Sequence, residues 1–158
     1  LDKLKKTYEQ DIQEKNIRIV FDNLTLSLMM EVNVEQFSKV LAGILKNSMY
    51  ALLKKSETVT FSPEIFLGLK VNKDMLEITI RDNGSGIDEN IKDKIFAPFF
   101  TTKTTGEAAG VGLYLCREIV QNHRGTIEVE SKKGEYTQFL ITIPVYQPKT
   151  ITPPKEEE

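Results

Sequence analysis

Leu76-Glu77-Ile78-Thr79-Ile80-Arg81-Asp82-Asn83-Gly84-Ser85-Gly86-Ile87 is the stretch whose reading decides the fold. Leu76, Ile78 and Ile80 alternate with Glu77, Thr79 and Arg81, the two-residue period of a strand with one buried face. A glycine-bearing loop, 82–87, follows without a break. Just upstream, Ile65, Leu67, Leu69 and Val71 alternate with Glu64, Phe66, Gly68 and Lys70. Asn72-Lys73-Asp74 between the two runs is turn chemistry, so the pair predicts an antiparallel hairpin.

Working outward, Asn33 is a predicted helix N-cap with Gln36 at the capping-box position. The helix it opens carries Phe37, Val40, Leu41, Ile44, Leu45 and Leu52 on one face and ends near Lys55. Ile17, Ile19 and Phe21 predict a strand before it, and Leu26, Leu28 and Met30 a second short one. After the glycine loop, Asp88 caps a short helix expected to run to about Ile95. Residues 97–110 show no period and read as a loop. A second long helix begins near Gly110, stacks Leu113, Cys116, Ile119 and Val120, and stops at Arg124-Gly125, with Gly125 as the expected left-handed cap. Two strands close the fold, 126–131 and 136–143, with Ile127, Val129, Phe139, Ile141 and Ile143 inward. Grouped hairpins with few helices predict an α+β two-layer sandwich: one mixed, mostly antiparallel sheet with helices on one face. Residues 1–16 are expected as a helical lead-in from an upstream region, 17–146 as the domain proper, and the proline- and glutamate-rich 147–158 as a disordered tail.

Composition narrows the function classes. Hydrophobic residues make up 40% of 158, enough for a core, and the formal net charge is −2. There is no basic field for nucleic acid or an anionic membrane surface. Cys116 is the sole cysteine, which rules out an intrachain disulfide and fits a small buried core residue. No apolar run reaches the roughly 18 residues of a membrane span. The domain is expected to be cytoplasmic.

Four stretches carry chemistry. Asp82-Asn83-Gly84-Ser85-Gly86 fits an ordinary turn, since Asn-Gly is common there. It equally fits a buried carboxylate that accepts a hydrogen bond from an exocyclic amine, with glycines letting a flat base approach. Asn47, on the edge of an apolar helix face, is either a boundary residue or an amide oxygen for a hard cation such as Mg²⁺. Phe96-Ala97-Pro98-Phe99-Phe100-Thr101-Thr102-Lys103 sets aromatic anchors before hydroxyls and a cation suited to phosphate. Gly110-Val111-Gly112-Leu113 opens a helix with glycines, which lets phosphate oxygens reach backbone N–H groups.

The order and spacing of the four resemble the GHKL ATPase superfamily, and within it the catalytic domain of sensor histidine kinases. The Asn47 segment resembles the N box, Asp82-x-Gly84-x-Gly86 the G1 box, Phe96-x-Pro98-Phe99-Phe100 the F box, and Gly110-x-Gly112-Leu113 the G2 box. The resemblance implies a Bergerat fold that binds ATP and Mg²⁺. Asp82 would take the adenine amino group, and Asn47 the metal. The implied nucleotide contacts are Asn47, Tyr50, Asp82, Gly84, Gly86, Ile87, Phe99, Thr101, Thr102, Lys103, Gly110, Val111, Gly112 and Leu113, with Asn47 and Lys103 assisting transfer. It also implies a partner hairpin bearing the phosphoacceptor histidine and a response regulator downstream. His123, the one histidine, is followed by Arg124 and stands at a helix end, a structural place. Two departures stand out: Ala108 where a glycine is usual, and Gly43 where the hydrolases of the superfamily carry a water-activating glutamate. They motivate the alternative of a degenerate nucleotide-binding module acting through protein contacts.

Overall fold

The computed structural model describes residues 6, 9–10, 12–22, 32–100 and 112–145. Five strands are present: β1 (Arg18–Asp22), β2 (Glu64–Asn72), β3 (Met75–Asp82), β4 (Thr126–Lys132) and β5 (Tyr136–Pro144). The helices are α1 (Val34–Ser56), the single turn α2 (Glu89–Lys92) and α3 (Gly112–Asn122). The sheet order is β1-β2-β3-β5-β4. β1 runs parallel to β2 and every other pairing is antiparallel, so the expected mixed, mostly antiparallel sheet is what forms. Nothing local in Arg18–Asp22 announces its parallel partner. That pairing is made across α1, and the strand candidate at 26–30 lies outside the described residues.

The core follows from strand phase. Leu76, Ile78 and Ile80 of β3 stand opposite Ile143, Ile141 and Phe139 of β5, and all six are buried. α1 lays Phe37, Val40, Ile44 and Leu52 on this face, and α3 adds Cys116, Ile119 and Val120. The two helices approach closely at Gly43. A Cβ there would come within 2.9 Å of Cys116 Sγ, and the thiol in turn points at the Val40 carbonyl, 3.7 Å away. Burial pushes the Cys116 thiol up to about 11, so almost none of it is thiolate at neutral pH. A thiol reagent is therefore expected to label the native protein far more slowly than the urea-unfolded chain. Equal rates by absorbance would contradict this packing.

The ends of the helices differ from expectation in instructive ways. Asn33 does cap α1, its Oδ1 accepting from the Gln36 N–H at 3.0 Å. The reciprocal half of the box, however, comes from His123, whose Nε2 accepts the Asn33 N–H at 3.0 Å. At the end of α3 the left-handed residue is Arg124 (φ 58), not Gly125. Gly125 N–H donates to Val120 O at 2.9 Å and Arg124 N–H to Gln121 O at 2.9 Å, the paired bonds of a Schellman cap with Arg124 at its left-handed position. Gly125 is glycine for space: a Cβ would lie 2.3 Å from Thr142 O. α2 is shorter than predicted. Asp88 caps it through the Asn90 N–H, but it ends at Lys92 and turns carry the chain to Phe99.

Candidate nucleotide-binding site

Asp82 is the last residue of β3 and shares the helix-facing phase of Ile78 and Ile80, so it is driven inward and is only 2% exposed. Across the sheet it pairs with Ile65 on one side and Thr137 on the other, and Thr137 pairs with Ser131 of β4. The inner face is thus apolar rung after rung until this last one, where carboxylate, hydroxyl and hydroxyl stand in a row. From above, α1 contributes Ser48, 1% exposed.

The electrostatics of this rung set the character of Asp82. Burial raises its pKa from 3.8 to about 6, working against the Ser48 hydroxyl, the Gly84 N–H, the charge of Lys55 and the Thr137 backbone, all of which favour the ionised form. The Gly84 N–H donates to Oδ1 at 3.0 Å. Ser48 Oγ lies near enough to lower the pKa yet makes no hydrogen bond of full geometry. It is a buried hydroxyl beside the carboxylate without being tied to it. A buried polar atom with no partner is costly. The pair therefore offers an acceptor and a donor/acceptor to whatever group lies over the rung. An exocyclic amine with a neighbouring ring nitrogen fits that pattern.

The loop after Asp82 is clamped from three sides. Asn83 continues the sheet: its Oδ1 accepts from Glu64 N–H at 2.8 Å, its Nδ2 donates to Ser62 O at 2.9 Å, and its carbonyl accepts from Lys55 Nζ at 2.7 Å. Ser85 N–H donates to Ala51 O of α1 at 3.1 Å, and Gly134 N–H of the β4–β5 turn donates to Ser85 O at 2.7 Å. Ile87 N–H donates to Ser131 Oγ at 2.8 Å, and that hydroxyl itself donates to Tyr136 O. The glycines are consequences of this clamping. A Cβ on Gly84 would lie 2.6 Å from the Ala51 carbonyl carbon, and one on Gly86 (φ 64) would lie 2.2 Å from Lys132 O. The expectation that Gly84 and Gly86 are glycine to admit a base is thus replaced by a packing reason.

Gly112 differs. No heavy atom of the described residues lies within 4 Å of where its Cβ would be, and it opens α3 exposed. Packing supplies no reason for glycine there, whereas close approach of a ligand to the first N–H groups of α3 does. Leu113 packs against the core behind it. Asn47 and Tyr50 are half-exposed on α1, Asn47 directly preceding Ser48. Among the described residues no group of three or more His, Cys, Asp or Glu gathers that could hold a metal alone. A cation at Asn47 would have to share its coordination with ligand oxygens and water, as Mg²⁺ does with phosphates. Of the aromatic anchors, Phe96 is buried edge-on to Phe139, with ring centroids 6.3 Å apart, and Phe100 packs on the core. Phe99 is 81% exposed with φ 63. Thr101, Thr102, Lys103, Gly110 and Val111 lie outside the described residues. Thr137 and Ser131 were not anticipated as site residues. Thr137 was accessible in principle, being two residues before inward Phe139, but its place beside Asp82 depends on strand register.

Residues 33–147 match the family described as histidine kinase-, DNA gyrase B-, and HSP90-like ATPase. The chain is 34% identical over 148 residues to cyanobacterial phytochrome A of a Nostoc species, covering 92% of this chain and 18% of that protein. It is 29% identical over 136 residues to the sensor histidine kinase ZraS of Salmonella typhi, covering 86% of this chain and 28% of that one. With sporulation kinase E of Bacillus subtilis it shares 35% identity over 113 residues, covering 71% and 14%. The chain thus spans less than a third of the length of these relatives. Among solved structures, the nucleotide-free catalytic domain of histidine kinase ThkA superposes with a TM-score of 0.74 at 28% identity, covering 90% of this chain and 88% of that one. Among the described residues no helix is long and apolar enough to cross a membrane. With the polar rung around Asp82, the loop clamped above it and these matches in agreement, the chain belongs to the histidine kinase-, DNA gyrase B-, and HSP90-like ATPase family, as a catalytic domain of the sensor histidine kinase kind.

Proposed function

We propose that this domain binds ATP with Mg²⁺ and passes the γ-phosphate to a histidine on a helical dimerisation hairpin outside this chain, from which a response regulator is charged. The observation that carries the reading is the buried Asp82 beside an unpartnered Ser48 hydroxyl, at the polar end of an otherwise apolar sheet face. Asp82 accepts the adenine amine. Asn47, next to Ser48 on α1, offers its amide oxygen to Mg²⁺, and the open N-terminus of α3 at Gly112 faces phosphate with its N–H groups and dipole. Bound Mg-ATP supplies the transferable phosphoryl group; the chain supplies position and charge neutralisation, most of what such a transfer needs. Thr101, Thr102 and Lys103 complete the phosphate side in this reading, and Lys103 is the cation closest in sequence to the aromatic anchor.

Gly43 favours transfer over hydrolysis. Its missing side chain is the space into which Cys116 packs, so a water-activating glutamate there would push α3 off α1. The test mixes this domain with the hairpin fragment of its parent protein and γ-labelled ATP. Acid-labile label is expected on the hairpin, and Asn47→Ala should slow its appearance about a hundredfold while adenosine binding persists. ATP binding without any transfer would refute the kinase reading and leave the degenerate nucleotide-binding module.

A further inference from the structure

His123 is the one histidine of the chain, and the phosphate chemistry proposed above makes no use of it. Its ring is nevertheless engaged at both nitrogens. Nε2 lies 3.0 Å from the Asn33 backbone nitrogen, and Nδ1 lies 2.7 Å from Ile119 O. A backbone N–H can only donate and a carbonyl can only accept. Nε2 must therefore carry the lone pair and Nδ1 the proton, which fixes one neutral tautomer. The ring joins the last turn of α3 to the N-cap of α1.

The second contact between these helices shows what the clip holds. Cys116 Sγ points at Val40 O, 3.7 Å away. From Asn33 to Val40 is seven residues along α1, and from His123 back to Cys116 is seven along α3. The helices therefore run antiparallel and pinned at two points, about 10 Å apart at 1.5 Å per residue. The same thiol abuts Gly43. One turn on from Gly43 is Asn47, and one turn back from Cys116 is Gly112. The register that His123 and Cys116 fix is thus the register between Asn47 and the open N-terminus of α3.

We propose that His123 is a positioning residue: by clipping α3 to the N-cap of α1, it sets the separation between Asn47 and the helix N-terminus at Gly112 that face the phosphates. Asp82 stands on β3 and is independent of this register. The inference rests on the nucleotide-binding reading above, and it predicts a split that simple destabilisation does not produce.

The test measures Mg-ADP and adenosine affinity by calorimetry in the wild type, His123→Leu and His123→Gln, each first checked for a cooperative melt. Leucine fills the space without an acceptor, whereas the glutamine oxygen reaches roughly where Nε2 sits. In His123→Leu, Mg-ADP affinity is expected to fall roughly five- to tenfold, the scale of one lost hydrogen bond, with adenosine affinity within about twofold. His123→Gln is expected to restore most of it, and ring ¹⁵N shifts of the wild type should report the Nδ1–H tautomer. Equal loss of both ligands, no loss of either, failure of glutamine to rescue, or the other tautomer would each overturn the proposal. A wild type that binds no nucleotide overturns the site reading and this inference with it. Wild-type binding with an unaffected leucine variant overturns this inference alone.

Discussion

Asp82→Asn is expected to abolish measurable nucleotide binding while raising the melting temperature of the ligand-free domain. The two effects share one cause. Asp82 Oδ1 accepts the Gly84 N–H at 3.0 Å, and that bond survives in an amide because the asparagine oxygen takes it. The amide nitrogen is then forced to the other side, where its two N–H groups meet the donating amine of adenine. An acceptor has become a donor facing a donor, with no water to relieve it, so the loss should reach about a hundredfold or more. Stability moves the other way. The carboxyl titrates at about 6 when folded against 3.8 when free, because burial disfavours its charge. Its contribution to stability is complete below 3.8 and is lost as pH rises through about 6. An amide does not ionise and keeps that stability at pH 7.5, a gain on the order of 2–3 kcal/mol for a shift of this size. Calorimetric titration and thermal melts of both proteins at pH 7.5 check the pair. A variant less stable than wild type, or one retaining affinity, would overturn the role given to this carboxylate. The wild type should itself lose nucleotide affinity as pH falls from 7.5 to below 6, as the acceptor becomes protonated.

How much of this could be read beforehand depends on range along the chain. Periodicity located all five described strands and both long helices, because alternation and helical spacing are local signals. It also turned Asp82 inward, since that residue keeps the phase of Ile78 and Ile80. What was not legible is whatever two distant segments decide together. The sequence has Gln36 in position to complete the cap of α1, and the bond went to His123, 90 residues away. Gly125 looked like the left-handed residue at the end of α3, yet Arg124 takes that conformation and Gly125 yields space to Thr142. Thr137 and Ser131 enter the polar rung only through the register of β3, β5 and β4. A glycine in a sequence shows that a side chain is missing, never what occupies the space.

Gly86→Ala and Gly112→Ala should therefore separate fold from ligand. At Gly86 the backbone sits at φ 64, which an L-residue adopts at a cost of about 1 kcal/mol or more. The new methyl would also lie 2.2 Å from Lys132 O and 2.9 Å from the Lys133 Cα, both backbone atoms of the β4–β5 hairpin. Neither can swing away as a flexible side chain would. Relief requires the 82–87 loop or the hairpin to move, breaking the bond from Gly134 N–H to Ser85 O and the bond from Ile87 N–H to Ser131. Overpacking and lost hydrogen bonds together put the loss at about 3–5 kcal/mol, a large part of the total stability of a domain this size. The melting temperature is expected to fall by about 10 °C or more. Gly112 has open space at its Cβ and lies in the first turn of α3, where alanine is the better helix former by as much as about 1 kcal/mol. Gly112→Ala should melt no lower than wild type, yet bind Mg-ADP more weakly, because its methyl occupies the approach to the first N–H groups of the helix. Adenosine, which lacks phosphates, should bind Gly112→Ala as it binds the wild type. Thermal melts and parallel titrations with the two ligands decide it. A Gly86→Ala protein as stable as wild type would refute the packing of the loop, and unchanged Mg-ADP affinity in Gly112→Ala would remove the N-terminus of α3 from the phosphate site.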